Sequence, residues 1–363
     1  MNPLLTGSVA ASMDDKGRIG GMDIAKGIAI IAVVVGHYLQ NYHTAYMDYA
    51  FCFHVSLFFI LSGYFLNVNG EAKIFVRNKM KRLLKPYFIT GGIWCVLMTM
   101  KEMIKEGVPV AAKQLLKCVY AILWGGGQGK GSFYLTLSLE WKSIGCEVGM
   151  LWFLLALLWG SIIVYLVYKL KSRIVRIIAV LGVVVIGYLS SRLIILPWSV
   201  QQGMFSTGFI YFGVYARRRN FYNTIKKNWK YIVISIAGIS LLFAMGRYSM
   251  FKMYSNYCEH GVADYIAALI ISCSVIILSS YLYESRADKL KKLLSWIGQN
   301  SLLILCIHFL DVRLFGFAVK KLLNFTMMSE FIIMPLSLVV SVGLYCFVIW
   351  AMNKMNYERK IIK

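Results

Sequence analysis

The sequence predicts an all-α protein: a polytopic integral membrane helix bundle of about ten transmembrane helices, with both termini in the cytoplasm. The 363 residues are 59% hydrophobic and only 15% charged, whereas soluble domains carry about 25% charged residues. The apolar residues also come in long blocks rather than singly. A block of about 20 such residues is long enough to cross the hydrocarbon of a bilayer.

That length criterion finds the candidate spans in chain order. They are 22–41, 50–68, 87–104, 149–168, 174–190, 199–216, 230–246, 262–282, 296–313 and 331–352. One membrane domain, residues 1–363, accounts for all of them, with a short cytoplasmic N-terminus at 1–20 and a cytoplasmic tail at 353–363. A further apolar block at 115–124 is too short to span and predicts an interfacial or re-entrant segment.

The formal net charge of +23 is concentrated in alternate loops. Lysine and arginine collect at the N-terminus and in 69–86, 169–173, 217–229, 283–295 and 353–363. The positive-inside rule assigns this side to the cytoplasm. Topology therefore explains the charge, and we expect a multi-pass protein of the cell (plasma or inner) membrane whose partners are membrane lipids and not nucleic acid.

The eight cysteines contain no C-x-x-C pair. We therefore predict neither a metal site nor a redox pair.

The longest predicted outer loop runs from about 105 to 148. It carries aromatic and acidic side chains between glycines: Trp124, Tyr134, Glu140, Trp141 and Glu147. This composition suits sugar binding, and it equally suits an ordinary interfacial belt.

Ionisable residues inside membrane spans are costly and usually functional. Asp23 and Lys26 lie three residues apart at the predicted cytoplasmic end of the first span, where they can pair. His37 lies 11 residues beyond Lys26, about 16 Å along a helix axis. His54 and His308 are predicted at a similar depth, in the outer half of the bilayer. A common depth for three histidines indicates a site more strongly than any one of them does.

Five segments together resemble one known family. They are Met22–Ile31 with Gly36-His37, Phe53–Tyr64, Lys81–Tyr87, Leu151–Leu157 and Ile297–Leu302 with His308. In order and content they are similar to the membrane-bound acyltransferase family 3, and closest to its fucose O-acetyltransferase-like branch.

The resemblance implies transfer of an acyl group, usually acetyl, from cytoplasmic acetyl-CoA to an acceptor at or across the membrane. The family's pattern of a basic residue, ten positions and a histidine maps onto Lys26 and His37. Its R-x-x-R pair maps onto Lys79 and Arg82. Together with Arg77, these cations offer charge for the phosphates of coenzyme A.

The expected chemistry centres on His37, as general base on an acceptor hydroxyl or as a transient acyl acceptor. His54 or Ser56 would orient it or stabilise the oxyanion. Asp23 would orient Lys26.

Four further residues are candidate acceptor contacts: Trp152, Asn300, Ser301 and His308. The acceptor expected from the resemblance is a hydroxyl of a cell-surface or lipid-linked glycan. Succinyl-CoA remains open as the donor. Two other classes also remain open. One is a transporter or flippase of a sugar-linked substrate, and the other is a membrane sensor that needs no phosphate site.

Overall fold

The computed structural model describes residues 19–39, 49, 51–126, 148–226, 229–248, 251–314, 338–351 and 354. Both predicted cytoplasmic termini lie almost wholly outside these ranges. So do residues 127–147, which hold Tyr134, Glu140, Trp141 and Glu147 of the outer loop.

The described chain is almost entirely helical. In order its helices are α1 Gly20–Leu39, α2 His54–Tyr64, α3 Ala72–Glu106, α4 Val108–Trp124, α5 Trp152–Val167, α6 Arg173–Leu193, α7 Val200–Arg218, α8 Phe221–Lys226, α9 Lys230–Tyr248, α10 Val262–Glu284, α11 Asp288–Gln299, α12 Ser301–Leu314 and α13 Leu338–Ala351. A small antiparallel hairpin, β1 Phe251–Lys252 and β2 Tyr257–Cys258, lies between α9 and α10.

Every predicted span overlaps a helix, and the structure supports a multi-pass membrane protein. Within the described ranges, α1, α3, α6, α10 and the stretch Gly149–Val167, which contains α5, are long and apolar enough to cross a membrane. Helices α11 and α12 make a sixth candidate if the bent pair counts as one span. Shorter apolar helices cover the spans predicted at 50–68, 230–246 and 331–352. The number of ten crossings and the cytoplasmic termini stay predictions.

Helix α7 is polar for a membrane helix because it lies inside the bundle. It packs against α2, α5 and α6, so lipid does not contact most of its surface. The buried Gln201 and Gln202 on this helix donate to the backbone carbonyls of Ile194 and Tyr254. Hydrogen bonds of this kind remove the cost of polar groups inside a membrane protein.

Glycines let the central helices touch backbone to backbone. A Cβ on Gly63 of α2 would lie 2.0 Å from the carbonyl oxygen of Ile210, and a Cβ on Gly213 of α7 would lie 2.0 Å from that of Ile60. Gly27 of α1 and Gly298 of α11 form a second such crossing. Small residues at crossings are the usual means of close helix packing in membranes.

The ninth predicted span, 296–313, is broken rather than straight. Helices α11 and α12 meet at Asn300 with a bend of 70°. The Asn300 side chain donates to the carbonyl of Trp296 in the last turn of α11. Amphipathic α11 packs along α1, while α12 runs from the break towards His308.

The short apolar block predicted at 115–124 belongs to a longer helix. Gly107, at φ 86°, ends α3 and lets the chain reverse, so α4 begins at Val108 and packs antiparallel along α3. With 17 residues, α4 is about 26 Å long and still shorter than the hydrocarbon.

Candidate active site

A cavity of about 880 Å³ opens between α1, α2, α3, α5 and α12. Eight of the residues singled out in the sequence line it: Asp23, Lys26, His37, His54, Lys79, Arg82, Trp152 and Ser301. These residues come from five helices and from both halves of the chain, so the fold has brought them together.

One end of this cavity, the basic end, carries Lys26, Lys79 and Arg82. Lys26 Nζ lies 2.9 Å from Asp23 Oδ1 and 5.1 Å from the centre of the Phe65 ring. The Asp23 side chain is 6% exposed and that of Lys26 is 25% exposed. The Lys26 ammonium therefore borders the cavity, and the buried Asp23 carboxylate pairs with it. This end can hold a phosphorylated ligand.

The opposite end, the histidine end, carries His37 and His54. The ring of Phe51 contacts both imidazoles, with ring centres 5.9 Å from His37 and 5.2 Å from His54. His54 is 3% exposed. Trp152 begins α5 after a short turn at Gly149–Leu151 and is also buried, so it forms a wall of the cavity rather than an anchor at the lipid interface.

His308 lies behind His37 and outside the cavity lining. The centres of the two imidazole rings are 5.7 Å apart, so the two histidines are neighbours. His308 Nδ1 is 2.8 Å from Tyr345 Oη, and Tyr345 Oη donates to Asp311 Oδ2 over 2.5 Å. All three side chains are buried.

Three other predicted residues also lie outside the lining. Arg77 is exposed on α3. Ser56 is buried between helices, where its hydroxyl donates to the carbonyl of Phe53 and lies 2.8 Å from Ser272 Oγ of α10. Asn300 holds the break between α11 and α12. These positions favour packing roles for Ser56 and Asn300.

Sequence reasoning missed Arg313, which lines the cavity near the histidine end. Its guanidinium lies over the rings of Trp94 and Phe309, at 5.7 and 5.9 Å. In the sequence it reads as the basic residue that ends a span. Its spacing of five residues from His308 gave no signal, because residues five apart do not share a helix face.

The cavity joins two chemically different ends along one helix. Cations at the basic end can hold an anionic donor, and about 16 Å away an imidazole can take a proton from a hydroxyl. In the part of the chain that is described, no group of His, Cys, Asp and Glu is arranged to hold a metal ion.

The chain was compared with protein families, curated proteins and solved structures. The family model described as an acyltransferase domain, that of acyltransferase family 3, matches residues 19–346. Neither the curated proteins nor the solved structures give a match. The matched region covers nearly the whole sequence and includes every residue of the cavity. The chain therefore belongs to acyltransferase family 3 and is a multi-pass membrane protein with an acyltransferase domain.

Proposed function

We propose that this protein is an O-acetyltransferase that moves an acetyl group from cytoplasmic acetyl-CoA to a hydroxyl of a cell-surface or lipid-linked glycan. One observation carries the proposal. A single cavity has cations at one end and two histidines at the other. The family supports acyl transfer, whereas a transporter or flippase would need no such chemistry.

In this proposal the basic end faces the cytoplasm and binds the donor. Lys79 and Arg82 contact the phosphates of acetyl-CoA, and Lys26 holds an anionic group deeper in the cavity. The pantetheine arm extends along α1 and brings the thioester to His37. Asp23 holds the Lys26 ammonium in the direction of the donor.

His37 then takes the proton of the acceptor hydroxyl as the oxygen attacks the thioester carbonyl. The new C–O bond forms, the C–S bond breaks, and the departing thiolate receives that proton from His37. Alternatively His37 attacks the carbonyl itself and passes the acetyl group on. His54 stabilises the oxyanion in either route.

The acceptor approaches from the histidine end. Trp152 offers an aromatic face of the kind that packs against sugar rings, and Ser301 offers a hydroxyl to the cavity. A glycan on a lipid carrier would present its hydroxyls at this depth.

The experiment compares the purified wild-type protein with His37→Ala. Radiolabelled acetyl-CoA is supplied with lipid-linked glycan extracts, and label transfer and CoA release are followed. His260→Ala is the matched control, because His260 is half exposed and outside the cavity. We expect His37→Ala to lose at least about 100-fold in rate and His260→Ala to stay within twofold.

Binding of acetyl-CoA by His37→Ala should remain near the wild-type affinity, because the basic end is unchanged. Wild-type transfer by folded His37→Ala would overturn the role of His37. A folded wild-type protein that binds no acetyl-CoA at millimolar concentration would overturn the function.

A further inference from the structure

We propose that Tyr345 and Asp311 are positioning residues that fix the tautomer of His308 and, through it, orient His37. The proposal rests on the proposed acyltransferase function for its catalytic meaning. Its structural content rests on the buried contacts among these side chains.

The direction of each hydrogen bond follows from its partners. A carboxylate can only accept, so the single hydroxyl proton of Tyr345 is donated to Asp311 over 2.5 Å. The Tyr345 oxygen is then left as an acceptor. The bond of 2.8 Å to His308 therefore requires a proton on His308 Nδ1.

A neutral imidazole carries one proton, so a proton on Nδ1 leaves Nε2 of His308 as an acceptor. His37 is the nearest titratable ring, with a centre-to-centre distance of 5.7 Å. A small rotation of either ring would therefore let His308 Nε2 accept from an N–H of His37. That bond would leave the other nitrogen of His37 with its lone pair directed at the reacting hydroxyl.

In this arrangement the acceptor hydroxyl is the nucleophile, His37 is the base, and His308 orients the base. His37 faces the cavity and is the catalytic residue. His308, Tyr345 and Asp311 do not reach the cavity lining and act through it. When His37 takes a proton, the carboxylate of Asp311 stabilises the positive charge through the chain of hydrogen bonds.

Helix α13 holds Tyr345 firmly in place. Tyr345 and Ile349 are 4% and 0% exposed and pack in a small apolar cluster with Ile30, Val33 and Ile304. This cluster joins α13 to α1 and α12, the helices that carry His37 and His308. The position of the hydroxyl is therefore fixed by the packing of three helices.

The titratable groups that contact His308 or its partner Tyr345 are His37 on α1, Tyr345 on α13 and Asp311 on α12 itself. Asp311 is the acidic group among them. Because its carboxylate can only accept hydrogen bonds, it determines the direction of the others in the network.

The test reads the tautomer directly by ¹⁵N NMR of ¹⁵N-histidine-labelled full-length protein in nanodiscs. The chain has five histidines, and the signal of His308 is identified by its loss in His308→Gln. We expect a proton on Nδ1 and a free lone pair on Nε2. A proton on Nε2, or on both nitrogens, in the wild type would overturn the proposal.

The first variant is Tyr345→Phe, with Tyr265→Phe as its matched control. Tyr265 also donates a hydrogen bond within the bundle, to the carbonyl of Phe205, and lies outside the cavity. Tyr345→Phe should move the proton of His308 to Nε2 and lower kcat about 10- to 100-fold, with KM for acetyl-CoA unchanged. Tyr265→Phe should change neither.

The second variant, Asp311→Asn, keeps an oxygen that can accept from Tyr345 but loses the negative charge. We expect the Nδ1 tautomer to remain while kcat falls. A wild-type kcat in folded Tyr345→Phe would overturn the positioning role. Because the tautomer is read without turnover, absence of acyl transfer by the wild type would refute the proposed function and not the network.

Discussion

Lys26 is restrained by contacts on two sides. Its ammonium lies 2.9 Å from the Asp23 carboxylate and over the ring of Phe65. The carboxylate is nearly inaccessible to solvent, so removing its partner would leave a buried charge unpaired. Stability therefore depends on this pair, and in the proposed function donor binding depends on it too. A double substitution can separate the two effects.

We predict that Lys26→Met loses acetyl transfer and about 2 kcal/mol of stability, since Asp23 is then buried without its cation. In Lys26→Met/Asp23→Asn the buried charge is gone, so thermal stability in detergent should return. Transfer should not return, because the donor has still lost its cation. Recovery of wild-type transfer in the double variant would show that the role of Lys26 is structural.

We predict that substitutions of the three cations of α3 raise the KM for acetyl-CoA to different extents. Lys79→Gln and Arg82→Gln should each raise KM for acetyl-CoA about tenfold, since hydrogen bonds to charged groups contribute about 1.5–3 kcal/mol. Arg77→Gln should have a smaller effect because Arg77 is exposed and does not line the cavity. Steady-state kinetics at one ionic strength give the KM of each of the three variants.

Lys171→Gln, in an exposed loop after α5, controls for the change in overall charge. Equal KM effects in all four variants would point to a diffuse electrostatic field instead of a phosphate site.

At the scale of elements, the crossing of α1 and α11 determines where the cavity lies. A Cβ on Gly298 would be 1.8 Å from the carbonyl oxygen of Asp23 and 2.8 Å from the nitrogen of Gly27. The two backbones therefore touch, and α12 leaves this contact at 70° to α11. The contact places Ser301 at the cavity.

We predict that Gly298→Ala pushes α11 away from α1 and lowers both the yield of folded protein and its melting temperature. Gly182→Ala in α6 is the control, because a Cβ there meets nothing within 4 Å. Alanine is the better helix former by about 1 kcal/mol, so the control should be neutral or stabilising. A Gly298→Ala protein as stable as wild type would show that the helices are not in close contact.

For the whole molecule, the orientation in the membrane can be tested by labelling. One cysteine at a time is added in place of His260, predicted outside, or Ser285, predicted inside, in a background with Cys146 and Cys346 changed to serine. Burial raises the pKa of the Cys258 thiol to about 12, so Cys258 stays protonated and unreactive. An impermeant maleimide on intact cells should label position 260 and spare 285. The reverse pattern would invert the topology.

Hydrophobic blocks predicted most of the fold because depth in a membrane is determined by composition. They located helices at all ten segments, and they predicted His37 and His308 at a common depth, where the structure makes the two rings neighbours. The direction in which each side chain faces depends on the neighbouring helices, which no single span reveals. For this reason Ser56 faces α10 instead of the cavity.

Contacts between helices also account for three features that the sequence did not predict. The break at Asn300 depends on α11 packing along α1, and hydropathy treats 296–313 as one block. Tyr345 is one of three hydroxyl residues in the predicted span 331–352, and only the docking of α13 brings it to His308. Arg313 looked like the end of a span.

The contact between Tyr345 and His308 also has a consequence for biosynthesis. In the proposed mechanism the base is His37 of the first described helix, whereas the hydroxyl that orients its neighbour belongs to α13, close to the other end of the sequence. Helices enter the membrane in the order of translation, so a nascent chain carries His37 long before Tyr345 is made. The protein would therefore gain full activity only when α13 docks, and chains stopped before that helix would consume little acetyl donor.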